Sequence, residues 1–192
     1  MELHNAICVY CASSSNIAPI YTETAFRLGQ SIARAGKAVV CGAGRSGLMG
    51  AVIDGARDCN GETVGVIPRF MVEKGWHHPL LSRMEITDDM HSRKKRMAEL
   101  AQSAIALPGG CGTLEELLEI ITWRQLGIYA GNIVILNTGG YYDPLIGMLG
   151  KAVEEGFMKK DHCGLWQVAT TPEEAIRLAL TDCSRTKFIP KL

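Results

Sequence analysis

Leu107-Pro108-Gly109-Gly110-Cys111-Gly112-Thr113-Leu114-Glu115-Glu116 is the end of a strand, a glycine turn and the start of a helix. The apolar run Ala104 to Leu107 enters this stretch, and Leu114, Leu117, Leu118 and Ile121 follow at helical spacing. A helix start of this kind presents amide N–H groups that lack intrahelical partners. Together with the helix dipole they bind anions, phosphate above all. Glu115 and Glu116, read as first-turn residues, place carboxylates beside that dock. A carboxylate repels phosphate, so a pure binding site gains nothing from one. A site that stabilises positive charge developing on a phosphorylated substrate does.

Outward from this turn, strands and helices alternate. Ala6 to Tyr10 reads as a strand, Tyr21 to Ala35 as a helix ended by Gly36, Ala38 to Cys41 as a strand and Leu48 to Cys59 as a helix. Thr63 to Ile67 is a strand closed by Pro68, followed by a strand over Met84 to Thr87 and a basic helix over Met90 to Gln102. Ile133 to Asn137 and Gln167 to Ala169 add short apolar strands, with helices from Tyr142 and over Pro172 to Leu180. Continuous apolar strands separated by helices specify an α/β protein, a single-domain Rossmann-like fold whose parallel sheet carries helices on both faces. At 192 residues one domain over 1–192 is expected, with 181–192 as a C-terminal tail. Ligands then bind at the carboxyl ends of the strands, where the glycine loops lie. The segment Arg69 to Arg83, containing Trp76, His77, His78 and Pro79, is long for a connection and reads as a lid or specificity loop.

Composition narrows the function classes. A 47% hydrophobic share, 21% charged residues and a formal net charge of +0 exclude disorder and bulk nucleic-acid binding. No apolar run approaches the ~20 residues of a membrane span. Met1-Glu2-Leu3-His4-Asn5 carries no secretory signal pattern. Seven cysteines, an odd number scattered along the chain, read as reduced thiols in a cytoplasmic protein. Cys8 and Cys11 have CxxC spacing inside or at the end of a strand, where core packing and redox chemistry are the alternatives. Without a second CxxC or a paired histidine set there is no zinc ribbon.

Gly42-x-Gly44-x-x-Gly47 follows a strand and opens a helix, but the acid a dinucleotide site needs about 20 residues on is missing, and no Gly-Lys-Ser/Thr makes it a P-loop. The loop either packs strand against helix or touches phosphate or ribose. Ser13, Ser14 and Ser15 bring hydroxyls to the same crevice or cap a helix. In Met90-His91-Ser92-Arg93-Lys94-Lys95-Arg96-Met97, Arg93 and Met97 share one face while Lys94, Lys95 and Arg96 fan outward. Arginine suits a fixed site through its planar donors. Cys111 at a helix start would have a lowered thiol pKa, yet no histidine pairs with it as a base.

Three motifs carry a resemblance: Pro-Gly-Gly-x-Gly-Thr-x-x-Glu over Pro108 to Glu116, Gly-Leu-Met-Gly over Gly47 to Gly50, and Met-His-x-Arg-Lys over Met90 to Lys94. With Thr122-Trp123-Arg124-Gln125-Leu126-Gly127, the chain resembles the LOG family of cytokinin riboside 5'-monophosphate phosphoribohydrolases, formerly often labelled lysine decarboxylases. The similarity runs from the first strand through at least Tyr129. It implies a homodimeric Rossmann-like hydrolase that releases the base of a nucleoside 5'-monophosphate, AMP or a cytokinin riboside monophosphate. No metal, organic cofactor, nucleic acid or membrane is implied. The family's catalytic arginine and glutamate map onto Arg93 and Glu116. Substrate contacts are assigned to Ser14, Gly44, Gly47, Lys94, Gly109, Gly110, Cys111, Gly112, Thr113, Leu114, Glu115 and Thr122.

Two positions depart from the family pattern. Ala43 replaces a loop glycine, a mild change if that backbone has negative φ. Gly75 stands about where many relatives carry glutamate, with Glu73 as a substitute. In the hydrolase reading Glu116 faces the ribose, Arg93 holds phosphate or ribose, and the arginine's charge lowers the Glu116 pKa. The alternatives are a general purine monophosphate nucleosidase, a non-catalytic nucleotide-binding module and a pyridoxal-phosphate decarboxylase. The helix after the glycine turn is apolar over more than one stripe (Leu117, Leu118, Ile121, Trp123), which calls for a partner copy, with Arg124 or Gln125 reaching the partner's site.

Overall fold

The computed structural model describes residues 5–182. Of the expected tail, residues 183–192 lie outside the described residues. The chain runs β1 (Ala6–Tyr10), α1 (Pro19–Arg34), β2 (Ala38–Cys41), α2 (Gly47–Asp58), β3 (Thr63–Pro68), α3 (Arg69–Glu73), β4 (Arg83–Thr87), α4 (Met90–Leu100), β5 (Ser103–Ala106), α5 (Cys111–Gln125), β6 (Asn132–Leu136), α6 (Asp143–Glu154), β7 (Gln167–Ala169) and α7 (Pro172–Ala179). The seven strands form one sheet in the order β4-β3-β2-β1-β5-β6-β7, with every pairing parallel.

The five inner strands β1, β2, β3, β5 and β6 are buried at every residue because both faces are covered, whereas the edge strands β4 and β7 are partly exposed. One face (Cys8, Tyr10, Val40, Val66, Ala106, Ile135) packs with Met97 and Leu100 of α4 and Leu117, Ile120 and Ile121 of α5. The opposite face (Ile7, Val9, Val39, Cys41, Ile105, Leu136) packs with α1, α2 and α7 through Leu28, Ile32, Val52, Ile53 and Ile176. The helices α1 and α2 meet backbone to backbone through a glycine from each. A Cβ on Gly29 would stand 2.1 Å from the Val52 carbonyl oxygen, and one on Gly55 would stand 2.0 Å from that of Phe26. This contact fixes α2, and with it the glycine loop at its start.

Strand order reverses between β1 and β5. The chain steps outward from β1 to β4 on one side, then crosses back to lay β5 on the other flank of β1. A crevice opens above such a switch point, at the carboxyl ends of the two strands. The segments that leave β1 and β5 here are Cys11 to Ser14 and Leu107 to Gly112, tied together by hydrogen bonds from Ala12 N to Pro108 O (3.2 Å) and Leu107 N to Tyr10 O (2.9 Å).

Three boundaries differ from expectation. The helix α1 begins at Pro19 behind the N-cap Ala18, so Ser13, Ser14 and Ser15 do not cap it. Within the irregular segment 69–83, residues 69–73 form α3 on the end of β3. The helix α5 begins at Cys111, three residues before Leu114, because the glycines Gly110 and Gly112 do not prevent the turn from closing. Glu115 and Glu116 therefore stand in the second turn.

Candidate active site

Arg93, on α4, and Glu116, on α5, are brought together beneath the crevice. The helix α4 is fixed at its start by Asp89, whose carboxylate accepts from the Ser92 amide at 2.7 Å. The buried Arg93 guanidinium (6% exposed) donates through Nε to the Val66 carbonyl at 3.1 Å and through Nη2 to the Gly42 carbonyl at 3.4 Å. Nη1 lies 3.6 Å from Glu116 Oε1. Glu116 is itself 9% exposed. Burial pushes its carboxyl up from 4.5 to about 7, against the opposing pull of Arg93. The direction is opposite to the expectation from the arginine alone. Desolvation outweighs the attraction because the ion pair sits in a site walled largely by protein.

One helical turn above Glu116 is the bare end of α5. Its N-cap, Gly110, has no side chain to satisfy the first amides. Gly109 allows the turn to close: a Cβ there would stand 2.1 Å from the Thr113 hydroxyl oxygen, and its carbonyl accepts from Tyr141 at 2.7 Å. A cavity of about 720 Å³ runs from this helix end past the pair, lined by Ser13, Ser14, Gly110, Gly112, Thr113, Glu115, Glu116 and Arg93. The rest of its wall is mostly apolar: Cys11, Ala12, Met49, Ile67, Met71, Trp76 and Met90, with Gly42, Gly44, Arg45 and Ser46.

The loop after β2 links these two ends. Ala43 has φ 67°, in the left-handed region, so the replacement for a family glycine is strained by about 1–2 kcal/mol and is not the mild change expected. Segment 74–78 docks on the same loop. The Arg45 amide donates to the Trp76 carbonyl (3.2 Å), the His78 amide to the Ala43 carbonyl (2.7 Å), and Gly44 pairs with His77 in an antiparallel bridge. His78 locks the arrangement: its Nδ1 accepts from the Leu80 amide at 3.2 Å, leaving Nε2 to donate to Asp54 on α2 at 3.1 Å. Glu73, the expected substitute for the family glutamate, is exposed and off the cavity wall.

Gly42 sits directly against the guanidinium. A Cβ there would lie 1.7 Å from Arg93 Nη2, so Gly42→Ala is expected to displace the arginine without unfolding β2. Turnover should fall roughly tenfold, since a 1 Å misplacement at a reacting centre can cost ~10²-fold. Steady-state kinetics beside a melting curve checks this, and full activity in the variant would show that Arg93 need not stand where it does.

Of the remaining predicted contacts, Ser14, Gly44, Gly110, Gly112, Thr113 and Glu115 lie on the cavity wall, whereas Gly47, Gly109, Lys94, Cys111, Leu114 and Thr122 do not. Gly47 packs on the backbone of Ser13 and Ser14 with φ 63°. Leu114 packs against the core, Cys111 is exposed, and the Thr122 hydroxyl donates back to the Leu118 carbonyl at 2.8 Å. Lys94 does not fan outward. It is 4% exposed and bridges Glu115 (2.8 Å) and Glu119 (3.2 Å) of α5, and its ammonium holds the Glu115 carboxyl below its usual value. Arg124 is also turned inward, donating to the Gly131 carbonyl at 2.6 Å.

Cys8 and Cys41 are buried in β1 and β2 and Cys11 is buried just past β1 on the cavity floor, and burial raises all three thiols, Cys41 to about 11. Such thiols are inert, so the CxxC pair is core packing. Among the described residues no group of three or more potential ligands could hold a metal ion. No helix among them is long and apolar enough to cross a membrane. The residues that sequence reasoning missed are the apolar ones, Met49, Ile67, Met71, Trp76 and Met90. The unusual length of segment 69–83 signalled Met71 and Trp76, Met49 and Met90 stand inside the motifs at Gly47 to Gly50 and Met90 to Lys94, and nothing in the sequence marked Ile67.

A family model described as "Possible lysine decarboxylase" matches residues 49–179. A probable cytokinin riboside 5'-monophosphate phosphoribohydrolase of Oryza sativa subsp. japonica is 40% identical over 88% of this chain and 70% of its own. A cytokinin riboside 5'-monophosphate phosphoribohydrolase of Arabidopsis thaliana is 43% identical over 79% of this chain and 70% of its own. Among solved structures, the molybdenum cofactor carrier protein of Chlamydomonas reinhardtii shares the fold, with a TM-score of 0.69 and 20% identity over 90% of this chain and 93% of that one.

Proposed function

Since the chain belongs to the LOG family, we propose that it hydrolyses the N-glycosidic bond of a purine or cytokinin nucleoside 5'-monophosphate, releasing the free base and ribose 5-phosphate. The observation that carries this reading is the buried Arg93–Glu116 pair, 3.6 Å apart, one turn below an uncapped helix end in the same cavity. Glu116 lies four positions along α5 from Gly112, an axial rise of about 6 Å, comparable to the reach from a 5'-phosphate to C1'. A phosphate held by the α5 amides thus brings C1' over the Glu116 carboxylate.

In the reaction a water oxygen bonds to C1' while the glycosidic bond breaks and its electron pair leaves with the base. The ionised Glu116 stabilises the positive charge on C1' and the ring oxygen and takes the proton from the attacking water. The base recovers a proton as it departs. Arg93 holds the carboxylate in place and keeps part of it ionised near neutrality. Phosphate binding, remote from the bond that breaks, supplies the positioning. Incubation with AMP, followed by chromatography for adenine and ribose 5-phosphate, tests the proposal. Absence of both products would overturn it.

A pyridoxal-phosphate decarboxylase, the activity suggested by the family model's description, needs a lysine amine in its cavity. No lysine lines this one, and Lys94 is held by two carboxylates. The residues present do not fit that cofactor.

A homodimer in a reducing, cytoplasmic compartment belongs to the same proposal. The second apolar stripe is narrower than expected. Leu117 and Ile121 are in the chain's own core and Trp123 packs against it, leaving Leu118, Leu126 and Ile128 exposed on and just after α5. These three are the candidates for burial against a second copy. Light scattering at micromolar concentration is expected to give twice the 20.8 kDa chain mass, and a monomeric mass would remove the dimer from this reading.

A further inference from the structure

The cavity has a direction. From the α5 end it passes Glu116 and Arg93, then Gly42, whose carbonyl holds Arg93, and then Gly44 and Arg45, whose backbone holds segment 76–78. A nucleotide with its phosphate at α5 and its C1' at Glu116 must therefore extend its base toward Met49, Met71, Trp76 and Met90. Trp76 is 47% exposed although it lines the cavity. Its carbonyl is anchored by Arg45, and the Lys74 ammonium lies 4.8 Å from its ring centroid. The indole is thus held at the mouth with surface to spare.

Four backbone groups of the loop that could read a base edge at this end are already engaged. The Gly42 and Ala43 carbonyls accept from Arg93 and His78. The Gly44 amide donates to Met49 Sδ at 2.8 Å, and the Arg45 amide donates to the Trp76 carbonyl. No asparagine, glutamine or aspartate lines the cavity, and the two polar side chains at this end, Arg45 and Ser46, are exposed at the rim.

We propose that Trp76, with Met49, Met71 and Met90, forms the base subsite, and that this subsite selects purines by stacking area and apolar contact, not by their hydrogen-bonding edges. This rests on the hydrolase reading for the placement of phosphate and C1'. Aromatic and thioether surfaces contact any purine face, so adenine, guanine and hypoxanthine are equivalent to them, and an apolar substituent on the exocyclic amine is tolerated. A pyrimidine offers a smaller face.

The test compares kcat/KM for AMP, GMP, IMP and CMP in the wild type and in Trp76→Ala and Trp76→Phe, together with inhibition by ribose 5-phosphate, which has no base. The three purines should fall within about tenfold of one another, with CMP at least tenfold lower. Losing one stacked side chain costs about 10- to 100-fold. Trp76→Ala should lower purine turnover by that factor and CMP by less, leave the ribose 5-phosphate inhibition constant unchanged, and be rescued by Trp76→Phe. A preference above 100-fold for one purine would overturn the proposal, a guanine preference pointing to Arg45 as an edge reader. Equal losses for all four nucleotides and for ribose 5-phosphate would make Trp76 structural and overturn it too. Calorimetric affinities for the same nucleotides separate this inference from the one it rests on. Purine-selective binding that depends on Trp76, without release of any base, would refute the hydrolase and uphold the subsite. Binding without base selectivity would refute the subsite.

Discussion

Glu116→Gln is expected to lower turnover of AMP by about 10²-fold or more while making the folded protein more stable above pH 7. Both effects have one cause. Burial holds the Glu116 carboxyl at about 7 against 4.5 in the unfolded chain, so the folded state binds the proton more tightly. Below about pH 4.5 both states are protonated and the group costs nothing. Between about 4.5 and 7 the unfolded chain ionises first, and stability falls as pH rises. Above 7 the whole penalty stands, on the order of 3 kcal/mol at ~1.4 kcal/mol per unit. The amide removes the charge that the transition state needs and also this penalty. Melting temperatures of the two proteins should therefore diverge at pH 8, the variant higher, and converge near pH 5. In the wild type, kcat/KM should fall on an acid limb with its midpoint near pH 7, below which Glu116 is protonated. A variant that keeps more than about a tenth of the turnover, or melts with the wild type at pH 8, would show that Glu116 is not a strained functional carboxylate.

Arg93→Lys should cost nearly as much, on the order of 10²-fold, although it preserves charge. The guanidinium makes three separate contacts from one plane: Nε to Val66, Nη2 to Gly42 and Nη1 toward Glu116. A single ammonium cannot satisfy two carbonyls on neighbouring strands and still face the carboxylate. With the cation drawn away, the Glu116 carboxyl should rise further, moving the acid limb of the residual activity above pH 7. The fold should survive, because the packing of α4 on the sheet rests on Met97 and Leu100. Unchanged kinetics and an unmoved limb would reduce Arg93 to a structural tie between β2, β3 and α4.

The sequence by itself determined the parallel sheet and the two glycine loops at its carboxyl edge, and it singled out Arg93 and Glu116, which the fold brings together. Those features are written in short windows. An apolar run such as Ala104 to Leu107, short and closed by a glycine turn, reads as a strand covered on both faces, and the helical spacing after Pro108 to Gly110 reads as a helix start with bare amides. What the tertiary structure decided depends on what residues far along the chain do to one another. Lys94, in a basic run that looks solvated, is buried because Glu115 and Glu119 on another helix receive it. Ala43 takes a positive φ because β2, Gly65 and His78 fix the loop around it. Trp76 reaches the cavity because His78 bonds to Asp54, 24 residues away. The Glu116 pKa rises where its neighbour Arg93 argued for a fall, because desolvation is set by everything that covers a side chain and periodicity records only its local neighbours.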